Sequence, residues 1–68
     1  MESVARVTEI SSTSPKGVAD AIAQGIERAT KTLRNVKSAW VKEQRVDIDD
    51  GRVIEYQVNL LVTFVLDD

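Results

Sequence analysis

The sequence contains neither cysteine nor histidine. Without cysteine the chain has no disulfides, no thiolate metal sites and no thiol nucleophile. Without histidine it lacks the side chain most often used as a general base and as a metal ligand. Nucleophilic catalysis needs a base beside the nucleophile, so we expect the protein not to be an enzyme.

Long apolar runs and an excess of positive charge are also missing. No run approaches the ~20 apolar residues that span a bilayer. Glu2, Arg6 and Glu9 interrupt the first ten residues, which predicts no signal peptide, no membrane partner and a cytoplasmic location. Nine Lys and Arg residues stand against 11 Asp and Glu residues, for a net charge of −2. A nucleic-acid partner would require a basic stripe, so none is expected.

The short length of the chain predicts self-assembly. Its 68 residues allow a single domain over 1–68. A lone core of this size rarely leaves more than ~3–5 kcal/mol of net stability. Small proteins without disulfides or metals often gain the remainder by forming oligomers.

The hydrophobic pattern predicts an α+β fold with the element order β-α-β-β. Residues 11–15 are interpreted as a break, with Ser14 as the helix N-cap and Pro15 at the first helical position. Asp50-Gly51 is a strong signal for a hairpin turn. The predicted elements are a strand over Val4–Ile10, a helix over Pro15–Leu33, and strands over Val36–Ile48 and Arg52–Leu66.

The directions of the strands predict a three-stranded antiparallel sheet in the order 1-3-2, wrapped on one helix. The apolar even-numbered residues of strand three are expected to pack on the helix. A two-residue turn pairs Trp40 with Leu61 and Gln44 with Gln57, and cross-strand partners share a face. The face of strand two turned away from the helix is therefore predicted to carry Ser38, Trp40, Lys42, Gln44 and Val46.

The two long strands strengthen the prediction of an oligomer. They span thirteen and fifteen residues, compared with a usual ~5–6. One helix is too small to cover such a sheet, and the open face of strand three carries Leu61 and Val65. We therefore expect the sheet to pack against neighbouring subunits in a closed assembly.

Acidic residues near the hairpin are the only candidates for a metal site. Asp47, Asp49 and Asp50 supply the carboxylate oxygens that calcium prefers. A solvated acidic turn explains them better, because no spaced ligand pattern is present. Asp67 and Asp68 are interpreted as a solubilising tail.

Trp40 and Gln57 are the candidate binding residues on the open face. Trp40 is the only tryptophan; it is either an interface anchor between subunits or a stacking platform for a small planar ligand. Gln57 is suited to the edge of a heteroaromatic ring, because an amide both donates and accepts hydrogen bonds. The alternative for Gln57 is a cross-strand pair with Gln44.

Several motifs, taken with the element order, resemble the dodecins. The motifs are Val7-Thr8-Glu9-Ile10, Ser14-Pro15, Lys31-Thr32-Leu33-Arg34-Asn35, Val41-Lys42-Glu43 and Glu55-Tyr56-Gln57-Val58. Dodecins are small bacterial and archaeal flavoproteins that form hollow homododecamers. The resemblance implies paired flavins (FMN or riboflavin) near two-fold axes, a storage or sequestering role without catalysis, and in some members coenzyme A.

The resemblance also assigns candidate site residues. The flavin-contacting glutamine of the family corresponds to Gln57, and an arginine near ligand phosphates corresponds to Arg45. The stacking tryptophan corresponds to Ser38, while Trp40 lies two residues further on and faces the same way, displaced by ~6.6 Å. Two functions follow: a flavin-sequestering dodecamer with a modified pocket, or a dodecin-like shell that holds another small ligand or a divalent ion.

Overall fold

The computed structural model describes residues 3–66 and has the predicted β-α-β-β order. The elements are β1 (Ala5–Ser14), α1 (Val18–Thr32), β2 (Val36–Asp49) and β3 (Arg52–Val65). The sheet order is β1-β3-β2 with antiparallel neighbours, as predicted. Asp67 and Asp68, the predicted tail, lie outside the described residues. Within residues 3–66 no helix has the length and hydrophobicity to cross a membrane.

The core lies where α1 packs across the central strand. Val58, Leu60 and Val62 of β3 have no exposed surface, and Ala21 and Ala29 of the helix pack against them. These strand residues are two apart and therefore point to one face. The prediction that the even positions of β3 face the helix is confirmed over this stretch.

The first strand ends four residues later than predicted, at Ser14 instead of Ile10. Residues 11–14 are paired with β3, from Ser11 opposite Asn59 to Ser14 opposite Tyr56, so the predicted break at Ser11 is wrong. The central strand is 14 residues long, and its backbone N–H and C=O groups need partners along their whole length. Pairing with residues 11–14 satisfies those groups, and this outweighs the turn preference of serine.

The helix also begins later than predicted, because Ser14 is still in the strand. Gly17 is the N-cap residue, and no side chain caps the helix. Ser14 is buried; its hydroxyl donates to Asp20 Oδ2 at 2.6 Å and accepts the N–H of Lys16 at 3.0 Å. Ser14, which precedes the helix, therefore links the connecting segment at Lys16 to the first turn of the helix at Asp20. The helix ends before Leu33, whose backbone is extended.

Two β-bulges flank the middle of the hairpin and change its register locally. One follows Asp47 and shifts the pairing, so that Arg45 lies opposite Gln57 and Gln44 opposite Val58. The other, between Val41 and Glu43, restores the original register, so that Trp40 lies opposite Leu61. The predicted Trp40–Leu61 pair is confirmed, and the predicted Gln44–Gln57 pair is wrong.

The bulges also correct the predicted open face of β2. Gln44 and Val46 lie opposite Val58 and Tyr56, which places them on the helix side. An extra residue in a strand reverses the face of every residue beyond it. Ser38 and Trp40, which lie beyond both bulges, keep their predicted face.

Gly25 is the point of closest approach between the helix and the sheet. A Cβ atom at this position would lie 3.1 Å from Ser12 Cβ and 3.2 Å from Leu60 Cδ1. Both distances are shorter than ordinary van der Waals contact, so glycine is needed here for packing. Its cost of ~1 kcal/mol in helix propensity is thereby offset.

We expect Gly25→Val to destabilise the fold by about 1–3 kcal/mol, because the added carbons overlap Ser12 and Leu60. Ala23→Val is the matched control: it places the same side chain on the exposed side of the same helix, where a change within about 0.5 kcal/mol is expected. Guanidinium chloride unfolding measures both. Equal losses in the two variants would contradict the close approach at Gly25.

Candidate functional site

The sheet face turned away from α1 has two chemically distinct regions. The apolar region carries Val7, Trp40 and Leu61, and both Val7 (50%) and Trp40 (61%) are well exposed. The polar region lies nearer the hairpin and carries Ser11, Glu43, Arg45, Gln57 and Asn59. Most of the side-chain hydrogen bonds on this face lie in the polar region.

The polar region is organised by a chain of side-chain hydrogen bonds. Gln57 Nε2 donates to Ser11 Oγ at 2.9 Å and to Asn59 Oδ1 at 3.3 Å. Asn59 Nδ2 in turn donates to Glu43 Oε1 at 3.3 Å. All three strands contribute to this chain, which runs beside a shallow cavity of about 190 Å³. The cavity is lined by Glu43, Gln44, Arg45, Gln57 and Asn59.

Arg45 and Gln57 are neighbours in this region because they are register partners. The Arg45 side chain is 67% exposed, and its Nε atom lies 3.7 Å from Asp47 Oδ1. An exposed pair at this distance restrains the guanidinium weakly. The arginine is therefore available to an anionic group, next to the amide of Gln57.

Ser38 and Trp40 lie on the same face but far from Gln57 within one subunit. Trp40 is opposite Leu61, and Ser38 is opposite Thr63. These partners are four and six residues along β3 from Gln57, or about 13 and 20 Å at a rise of ~3.3 Å per residue. The structure thus brings together Arg45 and Gln57 of the predicted site residues, and it places Ser38 and Trp40 apart from them.

Sequence reasoning missed three residues of the polar region: Ser11, Glu43 and Asn59. Asn59 is two residues from Gln57 on the same strand, so the alternation that exposed Gln57 was a sufficient signal for it. The signal for Ser11 is hidden, because its run of serine and threonine is typical of a turn although the residue pairs with Asn59. Glu43 faces outward because of the bulge between Val41 and Glu43, which has no glycine or proline to mark it.

An ion pair separates the two regions of the open face. Lys42 Nζ donates to Glu9 Oε1 at 3.0 Å, and this pair joins β2 to β1 across the central strand. The hydrogen bond and the charge of Glu9, with a smaller contribution from Glu43, raise the pKa of Lys42 above its ordinary value of 10.5. The lysine is therefore cationic throughout the neutral range.

The acidic residues of the hairpin do not form a cluster. No group of three or more acidic side chains in residues 3–66 is arranged to hold a metal ion. Asp49 and Arg52 are opposite each other at the turn, and Asp50 occupies the left-handed region at φ 51°. Asp47 points to Arg45 instead.

The fold and the open polar face place the chain among small proteins in which one helix packs on a three-stranded antiparallel sheet. The family model described as Dodecin matches residues 4–67. The chain belongs to the dodecin family.

Individual relatives support this assignment over the whole chain. The "Dodecin" of Thermus thermophilus is 41% identical over 68 residues, which is 100% of this chain and 99% of the relative. The "Calcium dodecin" of Mycobacterium tuberculosis is 34% identical over 91% of this chain and 87% of its own. The solved structure of "Dodecin from Streptomyces davaonensis" has a TM-score of 0.93 at 43% identity, with both chains fully covered.

We expect Glu9→Gln to lower the pKa of Lys42 towards 10.5, because the substitution removes the charge of Glu9 and weakens its hydrogen bond to Lys42. Because the folded pKa of Lys42 is raised, the pair stabilises the fold in the neutral range, and this stability is lost as the pH rises through the folded pKa. An NMR titration of the Lys42 side chain measures the shift. Glu43→Gln is the control and should produce a smaller change; a larger one would contradict the assigned partner.

Proposed function

We propose that the protein is a non-catalytic flavin-sequestering dodecin that assembles as a closed homododecamer. The observation that carries the proposal is the adjacency of Arg45 and Gln57 beside a polar cavity on the open sheet face, in a chain of the dodecin family. A cytoplasmic location stays a prediction, as does a single domain over 1–68.

Incomplete burial of the apolar residues supports the assembly. Within residues 3–66, five apolar side chains form the buried core, whereas nine large apolar residues are exposed. Open grooves of about 580 and 380 Å³ also flank the helix on its β1 and β2 sides. Exposed apolar surface of this extent is typical of protein interfaces. A second subunit would cover what one helix leaves open.

The chemistry of the polar region fits part of a flavin. An amide suits the polar edge of the ring system, and the Arg45 guanidinium suits a phosphate, as in FMN or coenzyme A. A bound flavin would provide the planar aromatic ring and the visible absorption of the complex. Ser38 offers no stacking surface, whereas Trp40 is exposed on the same face and reaches a shared ligand only from a neighbouring subunit.

The second candidate is a dodecin-like shell that binds no flavin and holds another small ligand or a divalent ion. Serine at position 38 favours it, because loss of a stacking ring removes ~1–3 kcal/mol if stacking on bases is the guide. The similarity to a calcium dodecin also favours it. Titration with added flavin separates the candidates, since only a flavin-binding assembly quenches the fluorescence of the added flavin.

The assembly predicts a mass near twelve times the 7.5 kDa chain in light scattering at micromolar concentration. Leu61→Asp should break this assembly, because the substitution places an unpaired charge in an apolar contact. Leu61→Met is the control and should keep the native mass, since it conserves volume and hydrophobicity. A monomeric or dimeric native protein would contradict the proposed assembly.

Because Ser38 has no aromatic ring to stack on a flavin, we predict weak flavin binding by the native protein, micromolar or poorer. Ser38→Trp should strengthen binding by roughly 10- to 100-fold and quench flavin fluorescence, because it restores an aromatic surface. Fluorescence titration measures both effects, with Ser38→Leu as a control for added apolar bulk. Equal gains from Trp and Leu would show that stacking is not the cause.

Trp40→Ala separates the two roles of Trp40. If the ring stacks on the ligand, flavin binding is lost and the mass of the assembly is unchanged. If the ring is an interface anchor, the melting temperature falls or the assembly dissociates. Tight flavin binding that survives this substitution would contradict the proposed pocket.

A further inference from the structure

The carboxylate of Glu43 determines how Asn59 is oriented. An ionised carboxylate only accepts hydrogen bonds, whereas an amide has one accepting oxygen and one donating nitrogen. Asn59 must therefore direct Nδ2 towards Glu43, as observed at 3.3 Å. Its Oδ1 then faces Gln57.

Asn59 in turn determines how Gln57 is oriented. Gln57 Nε2 donates one hydrogen bond to Asn59 Oδ1 and another to Ser11 Oγ. An amide nitrogen carries two protons, so both donors of Gln57 are used. No residue within 3–66 is seen to donate to Gln57 Oε1. The side chain thus retains hydrogen-bonding capacity only as an acceptor.

We propose that Glu43, acting through Asn59, holds Gln57 so that it offers only its carbonyl oxygen to a ligand and thereby selects ligands with an N–H donor at their edge. Glu43 and Asn59 are positioning residues in this scheme. The proposal rests on the proposed function, because it takes Gln57 as part of the binding site. It deepens that function by naming the feature of the ligand that is recognised.

Arg45 complements this acceptor. It is the register partner of Gln57 and contributes donors only. The neighbouring pair therefore presents one acceptor and one set of donors, which matches a ring edge with an N–H group beside a carbonyl. The imide edge of a flavin has this pattern. A ligand edge with carbonyl groups alone would face Gln57 Oε1 without a hydrogen bond.

The test compares riboflavin with N3-methylriboflavin, which lacks the imide proton. Fluorescence titration of the assembled protein should show riboflavin bound about tenfold more tightly, the upper range for one hydrogen bond. Gln57→Leu measures the steric effect of the methyl group alone. An equal preference in native protein and Gln57→Leu would overturn the proposal.

Glu43→Gln tests the positioning role directly. A glutamine at this position both donates and accepts. The side-chain amides of Asn59 and Gln57 can then both reverse, so that each amide oxygen and nitrogen exchange places. The preference for riboflavin should then fall to within about twofold of the Gln57→Leu value. Glu9→Gln makes the same chemical change on the same face, where the acid contacts Lys42, and should keep the preference. Equal behaviour of the two variants would overturn the proposal.

A neutron structure of the ligand-free assembly tests the orientation without any flavin. Deuterium on Gln57 Nε2 should point to Ser11 and Asn59 in native protein. The reversed amide would overturn the proposal even if flavin binds. Absence of binding to both flavins would instead overturn the flavin assignment, and the neutron maps would still decide the orientation of Gln57.

Discussion

The close packing of one helix on the middle of β3 is the constraint on which the rest of the structure depends. Leu60 has no exposed surface and lies against Gly25, where a Cβ atom would come within 3.2 Å of its side chain. This contact brings the helix axis near the sheet and buries Val58 and Val62 on either side. A single helix of 15 residues covers only the centre of strands that are nearly as long in residue number and twice as long in space.

The same constraint explains why a network of hydrogen-bonded side chains forms on the opposite face. The helix side is filled by the core, and its flanks are apolar grooves. Polar side chains that need partners are therefore accommodated on the open face, where neighbouring strands lie ~4.8 Å apart and their side chains come within hydrogen-bonding reach. Ser11, Gln57 and Glu43 come from three different strands, so this network exists only when the sheet is complete.

The sequence was sufficient to predict the strand order, the helix-facing side of β3 and the Trp40–Leu61 pair. Each follows from the hydrophobic periodicity and the hairpin turn at Asp50-Gly51. The Trp40 pairing survives two bulges because their register shifts cancel. Between the bulges the prediction fails: Gln44 faces the helix, and Arg45 lies opposite Gln57. The end of β1 was also missed, because the backbone groups of the central strand outweigh the local turn preference of Ser14.

The most informative part of the candidate site was the least predictable, for a physical reason. Alternation identifies which residues face outward, but it does not state which end of an amide faces which neighbour. The orientation of an amide, which both donates and accepts hydrogen bonds, is determined only when its neighbour is a group that can do just one of the two, such as a carboxylate that only accepts. Glu43 is such a group, because its carboxylate only accepts hydrogen bonds. The bulge between Val41 and Glu43 places the Glu43 side chain on the same face as Asn59. One extra residue in β2 therefore links the register of the hairpin to the hydrogen-bonding character of Gln57.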